Sequence, residues 1–213
     1  MTRILLIRHG QSEANLQKVF AGSWDCALTS LGLSQADLTA QYVLERYPVD
    51  CVYSSDLQRA YITGKTLADR LQQNVIPVRA LREIYAGAWE QTTFDQLPVQ
   101  FPNTYSVWLQ DIGNAVCDGG ESVAQLQHRV VEALMEIVRD NPHRTVVVVT
   151  HGTPIRAIQC FCEGKSLAQM KDIPWVSNAS ITELTYENQR LKIDNVSYDA
   201  HLGSLTSVLP ANC

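Results

Sequence analysis

The sequence predicts an α/β fold: a mostly parallel central sheet flanked by helices on both faces, with a small helical lid insertion. Three observations lead there. Short apolar runs alternate with longer segments of helical spacing along most of the chain, the pattern of strand–helix–strand units. Two of the runs, residues 4–7 and 146–149, are apolar at every position, as in strands covered on both faces. Residues 181–186 and 191–196 read as a terminal hairpin turning at Asn188-Gln189; it supplies edge strands, at least one of them antiparallel.

In order along the chain, residues 4–7 form the first strand and end in Arg8-His9-Gly10. Residues 11–28 have no period and read as a loop with a short helical turn. A helix follows to about Arg46, with Thr29 as its N-cap, and Pro48 closes the segment. Residues 49–53 are a second strand. Ser55 with Gln58 three residues on has the form of a capping box, and apolar residues from Leu57 to Leu71 then recur at helical spacing. Residues 75–78 are a short strand. Residues 79–118 are irregular and rich in aromatics, with the lid at about 84–118 folded over the crevice, and those aromatics read as core. Gly119-Gly120 precedes a long helix over 121–140 whose apolar residues fall on one side. Residues 144–149 are another strand, ending in Thr150-His151-Gly152, and residues 153–162 have helical spacing. The tail after His201 carries no strong signal.

Composition narrows the function classes. The chain has 213 residues, enough for one α/β domain over 1–213. With 46% hydrophobic and 18% charged residues it is ordinary for a soluble globular protein. A net charge of −5 argues against sequence-independent nucleic-acid binding. No stretch approaches a membrane span, and the first apolar run is too short for a signal peptide. The six cysteines are scattered without a Cys-x-x-Cys pair, so they read as reduced thiols of a cytoplasmic protein. Nothing in the pattern signals an oligomeric state.

The chemistry gathers at two strand ends. If the strands closed by Arg8-His9-Gly10 and Thr150-His151-Gly152 are neighbours, their histidines meet at the carboxyl edge of the sheet, where open α/β sheets bind ligands. Each glycine lets the backbone turn sharply and approach a ligand. Helix N-termini there favour an anion. Arg59, one turn into the helix after the second strand, falls on the same edge. Two arginines with two histidines make a site for a dianionic phosphate, because the planar guanidinium pairs two oxygens at once. One neutral imidazole can attack phosphorus, while the other and the arginines stabilise the equatorial oxygens. The leaving alkoxide needs a proton, and Glu83 at the start of the lid is the candidate donor. His128 and His143 read as structural or exposed. Two other readings compete: a non-catalytic phosphate-binding protein, and a metal hydrolase with His9 and His151 as ligands. The complete set of five groups opposes the first. The arginines oppose the second, since they repel a cation.

Together these pieces resemble the histidine phosphatase superfamily, the phosphoglycerate-mutase-like group. The matching stretches are RHGQSEAN at 8–15, FAGSWDCALTSLGLSQA at 20–36, YSSDLQRAYITGKTLA at 53–68, LREIYAGAWE at 81–90, GGES at 119–122, VVVVTHG at 146–152 and NASITEL at 178–184. The resemblance implies a small-molecule phosphomonoester as partner, no cofactor and no metal. It implies that His9 is the nucleophile that becomes phosphohistidine, that Arg8, Arg59 and His151 complete the phosphate pocket, and that Glu83 is the proton donor. It further implies phosphate contacts from Asn15 and the Gly152 N–H, and substrate-side contacts from Gln11, Ser12, Ala21 and Gly22. Two positions depart from the family: Gln91 stands where glycine is usual, and Gly64 where alanine is common. Family mutases hold basic residues between the acid and the second histidine. Here residues 84–150 contain only Arg129, Arg139 and Arg144 as cations, all on the long helix or at its exit. That favours hydrolysis over a phosphoglycerate-type mutase.

Overall fold

The computed structural model describes residues 1–207. Its first half runs β1 (Thr2–Arg8), α1 (Glu13–Gln17), α2 (Ser30–Arg46), β2 (Cys51–Ser54), α3 (Gln58–Arg70) and β3 (Val75–Pro77). Two short helices follow, α4 (Leu97–Gln100) and α5 (Pro102–Gln110), then the long α6 (Val123–Asp140). The chain closes with β4 (Thr145–Thr150), α7 (Gly152–Cys162), β5 (Ile181–Glu187) and β6 (Arg190–Tyr198). The sheet order is β3-β2-β4-β1-β5-β6. The first four strands are parallel, and β5 and β6 are antiparallel additions at one edge.

The unbroken apolar runs have a direct cause. Ile4, Leu6, Val146 and Val148 enter one core with α6 and α7, whereas Leu5, Ile7, Val147 and Val149 enter a second core with α2 and α3. Successive strand side chains point to opposite faces, so a strand between two helical layers has no polar face to offer. The expected hairpin is present. Asn188 and Gln189 both have positive φ, 50° and 61°, the backbone of a type I′ turn, which matches strand twist.

Boundaries shift where tertiary contacts decide them. The second strand begins at Cys51 rather than 49, because its register is set by β4: Cys51 pairs with Val146 and Ser54 with Val149. Asp50 lies before the ladder, and its carboxylate accepts from the Thr145 N–H at 2.7 Å. The long helix starts at Val123, with Ser122 and Gln125 forming a capping box. The capping box expected at Ser55 and Gln58 does not form. Helix α3 begins at Gln58, whose N–H donates instead to Asp25 of the loop at 2.6 Å.

Between β3 and α6 lie short helices and 3₁₀ turns, as expected for 84–118. Trp89, Tyr105 and Trp108 are buried and belong to the same core as Ile4 and Leu6. The Trp89 indole N–H donates to Asp118 at 2.8 Å. Five cysteines are free thiols; Cys213 lies outside the described residues. No described helix is long and apolar enough to cross a membrane.

Candidate active site

β1 and β4 are parallel neighbours, with Ile7 opposite Val149 and Arg8 opposite Thr150. One residue beyond, the His9 and His151 rings meet edge-on with centroids 5.1 Å apart. Both are buried, His151 completely. A cavity opens here whose wall includes Arg8, His9, Ser12, Asn15, Arg59 and Glu83. Ala21, Gly22 and Gly152 also contribute, and the space encloses about 530 Å³ including its open mouth.

The His9 Nδ1 lies 2.7 Å from the Gly10 carbonyl oxygen. A carbonyl only accepts, so Nδ1 carries the proton and Nε2 keeps its lone pair. Burial pushes the His9 pKa well below the ordinary imidazole value, and the charges of Arg59 and Arg8 push it the same way; the hydrogen bond to Gly10 opposes them. The same causes, burial first and then Arg59, hold His151 low. Both rings are therefore neutral at neutral pH.

Arg59, on the first turn of α3, spans to the loop after α1. Its Nη1 donates to the Trp24 carbonyl and its Nη2 to the Gly22 carbonyl, each at 2.8 Å. Its buried Nε has no hydrogen-bond partner in the protein, and neither has His151 Nδ1. Arg8 donates to the Val176 carbonyl at 2.6 Å. Asn15 Oδ1 accepts from the Ser12 N–H and from Asn178 Nδ2, so the amide group that remains to face the cavity is its NH₂. Glu83 accepts from the Ile84 N–H and from the Thr153 N–H at the start of α7. Buried donors without partners are costly. Several converging beside a neutral imidazole describe a place for a multiply charged oxyanion.

Two sequence expectations are corrected. Gln11 is not on the cavity wall: its side-chain oxygen accepts from the Thr29 hydroxyl at 2.9 Å and its N–H donates to Gln35. Gly10 does not make room for a ligand. A Cβ there would lie 2.4 Å from the Gly32 carbonyl oxygen, so the glycine permits the loop to cross the start of α2. At Gly152 a Cβ would meet Trp175 at 3.4 Å and the Arg8 guanidinium carbon at 3.5 Å, ordinary van der Waals contact.

Three further features complete the site. The Ser55 hydroxyl lies 2.8 Å from His151 Nε2 and accepts from the Leu57 N–H at 3.3 Å; Ser-x-x-Gln spacing pointed to a cap instead. Asn178 Nδ2 donates to the His9 carbonyl at 3.1 Å. The next residue, Ala179, is buried with φ +56° and donates its N–H to the carbonyls of Arg8 and His9. A left-handed alanine is strained, and here it clamps the histidine's backbone. The third feature is an aromatic wall of Phe20, Phe94, Trp108 and Trp175. Among the described residues, no group of three or more His, Cys, Asp or Glu is disposed to hold a metal ion.

Comparison with known proteins shows the family and the fold. The model of the histidine phosphatase superfamily (branch 1) matches residues 4–199. Phosphoserine phosphatase 1 of Hydrogenobacter thermophilus is 32% identical over 203 residues, covering 95% of each chain. The metal-independent phosphoserine phosphatase of Arabidopsis thaliana is 32% identical over 208 residues, 96% of this chain and 85% of that one. A mycobacterial glucosyl-3-phosphoglycerate phosphatase, solved in complex with VO3, superposes with a TM-score of 0.85 at 30% identity, covering 92% of this chain and 99% of that one.

Proposed function

Because this chain belongs to the histidine phosphatase superfamily and is a phosphomonoester hydrolase, we propose that it works through a phosphohistidine on His9, with a small phosphorylated metabolite as substrate. The observation that carries this reading is the tautomer of His9: Nδ1–H is held by the Gly10 carbonyl at 2.7 Å, which leaves Nε2 as a neutral nucleophile.

His9 Nε2 attacks phosphorus, a P–N bond forms and the ester P–O bond breaks. Arg8, Arg59, the Asn15 amide, the Gly152 N–H and His151 Nδ1–H hold the equatorial oxygens, where charge is stabilised. For Nδ1 of His151 to donate, Nε2 must accept, and the Ser55 hydroxyl at 2.8 Å can give it that proton. Glu83 gives a proton to the leaving alkoxide. Water then attacks phosphorus as Glu83 takes its proton, the P–N bond breaks, and phosphate and neutral His9 are restored. No step needs a metal, since arginines supply the positive charge. Ser12 caps α1 and holds Asn15, and Ala21 and Gly22 line the substrate side.

Hydrolysis rather than mutase chemistry is supported by the cations of residues 84–150. Arg129 is committed to Glu121 and to the carbonyls of Ala80, Arg82 and Glu83. Arg139 and Arg144 stand at the far end of the sheet, where β4 begins. None is placed to retain a diphosphorylated intermediate. Residues 1–213 are read as one domain with 84–118 as its lid, because the lid's aromatics share a core with the strands. The free thiols support a reducing compartment such as the cytoplasm.

The test is phosphate release with excess chelator, wild type beside His9→Ala, with a denaturing alkaline quench to trap the phosphoenzyme, since the P–N bond of a phosphohistidine is lost in acid. Release that survives chelator and falls at least about a thousandfold in the variant is expected. Near-wild-type turnover by His9→Ala overturns the reading.

A further inference from the structure

Resting on the phosphatase reading, we propose that this enzyme selects phosphomonoesters whose leaving group is uncharged and apolar, preferring them to the carboxylate-bearing esters that its relatives' names suggest. Beyond the phosphate-binding groups, the wall consists mainly of Val19, Phe20, Phe94, Trp108 and Trp175. The aromatics brace one another. Phe20 meets Trp108 edge-on at 5.1 Å and Phe94 at 6.3 Å, and Trp108 lies 6.4 Å from Trp175. Such a wall keeps its shape and offers apolar surface, which favours a leaving group that loses water cheaply.

The charges around the wall lead to the same conclusion. A carboxylate on the leaving group needs a cation of its own, since Arg8 and Arg59 serve the phosphate. Three nearby arginines are already committed. Arg156 stacks 4.1 Å from the centre of the Trp175 ring and donates to the Ile173 and Met170 carbonyls; it is not on the cavity wall. Arg82 is bound by both oxygens of Asp56, and Arg129 by Glu121. A desolvated carboxylate facing aromatic rings is strongly disfavoured.

The experiment compares kcat/KM for 2-phenylethyl phosphate, phosphoserine, 3-phosphoglycerate and glycerol 1-phosphate. Phenylethyl phosphate, phosphoserine and glycerol 1-phosphate are esters of primary alcohols, so differences in leaving-group basicity stay small. The expected result is a preference for phenylethyl phosphate over phosphoserine of at least about tenfold, the scale of discrimination by an apolar pocket. Phe94→Lys, on a half-buried position, should cut that preference at least about tenfold by adding the missing cation. Phosphate release from all esters with phosphoserine or 3-phosphoglycerate preferred overturns this inference and leaves the phosphatase reading intact. Release from none of them sinks both.

Discussion

The hydroxyl of Ser55 lies 2.8 Å from Nε2 of His151, across β2 and β4, which pair up to Ser54 and Val149. The hydroxyl accepts the Leu57 N–H and keeps its own proton to donate to the imidazole when Nε2 is unprotonated. Ser55→Ala removes the group that fixes the His151 tautomer. A loss of about 10- to 100-fold in kcat is expected, the range for groups that orient a reacting histidine, with KM nearly unchanged. Steady-state kinetics with unchanged circular dichroism check it. Full activity would show that the tautomer is set elsewhere.

Both site histidines have folded-state pKa values pushed below the ordinary 6.5. Between the folded value and 6.5 the unfolded chain binds more protons than the native one, so stability rises with pH there and levels off above. Two such histidines therefore make the protein less stable at pH 5.5 than at pH 7.5. Urea midpoints across that range measure it. Vanadate should flatten the dependence, because an oxyanion offsets the two arginine charges that help hold the pKa values down.

The same shift governs rate. A nucleophile neutral well below pH 6.5 places the acid limb of kcat/KM below that value, after allowance for the substrate's own second ionisation near about 6. An acid limb at or above 6.5 counts against a buried neutral His9.

Gln91 has φ +64° and donates its N–H to Phe20 at 2.8 Å. This is the physical reason that glycine is usual here: the left-handed backbone costs an L-residue about 1–2 kcal/mol. Gln91→Gly should stabilise the protein by about 0.5–1 kcal/mol, once the extra freedom of glycine in the unfolded chain is subtracted. Calorimetry should show a rise in Tm of about 1–4 °C.

Arg59 uses both terminal nitrogens on the Gly22 and Trp24 carbonyls. A lysine keeps the charge but cannot span both carbonyls and reach a phosphoryl oxygen. Arg59→Lys is expected to lower kcat/KM by about 10²–10³-fold, the effect of losing one oriented donor, and to speed proteolysis within residues 20–26. A loss below about tenfold would reduce Arg59 to a structural tie.

Much of this was readable from residues 4–10 and 146–152. A run apolar at every position belongs to a strand covered on both faces, and an abrupt change to Arg-His-Gly or Thr-His-Gly marks where that strand leaves the core. Those local rules placed His9, His151, Arg8 and Gly152 on one edge before any contact was known. They did not determine the partners. Ser55 has the spacing of a cap, yet its hydroxyl serves a histidine 96 residues away, and Gln11 turns to Thr29 rather than to the cavity. The lid aromatics read as core, which holds for Trp89 and Tyr105, while Phe94 and Trp108 also face the cavity, joined by Trp175 from beyond α7. Local periodicity records how deeply a side chain is buried. Which distant group completes its hydrogen bond, and which face of a ring stays open to a ligand, depends on where the sheet order and loop crossings bring remote segments together.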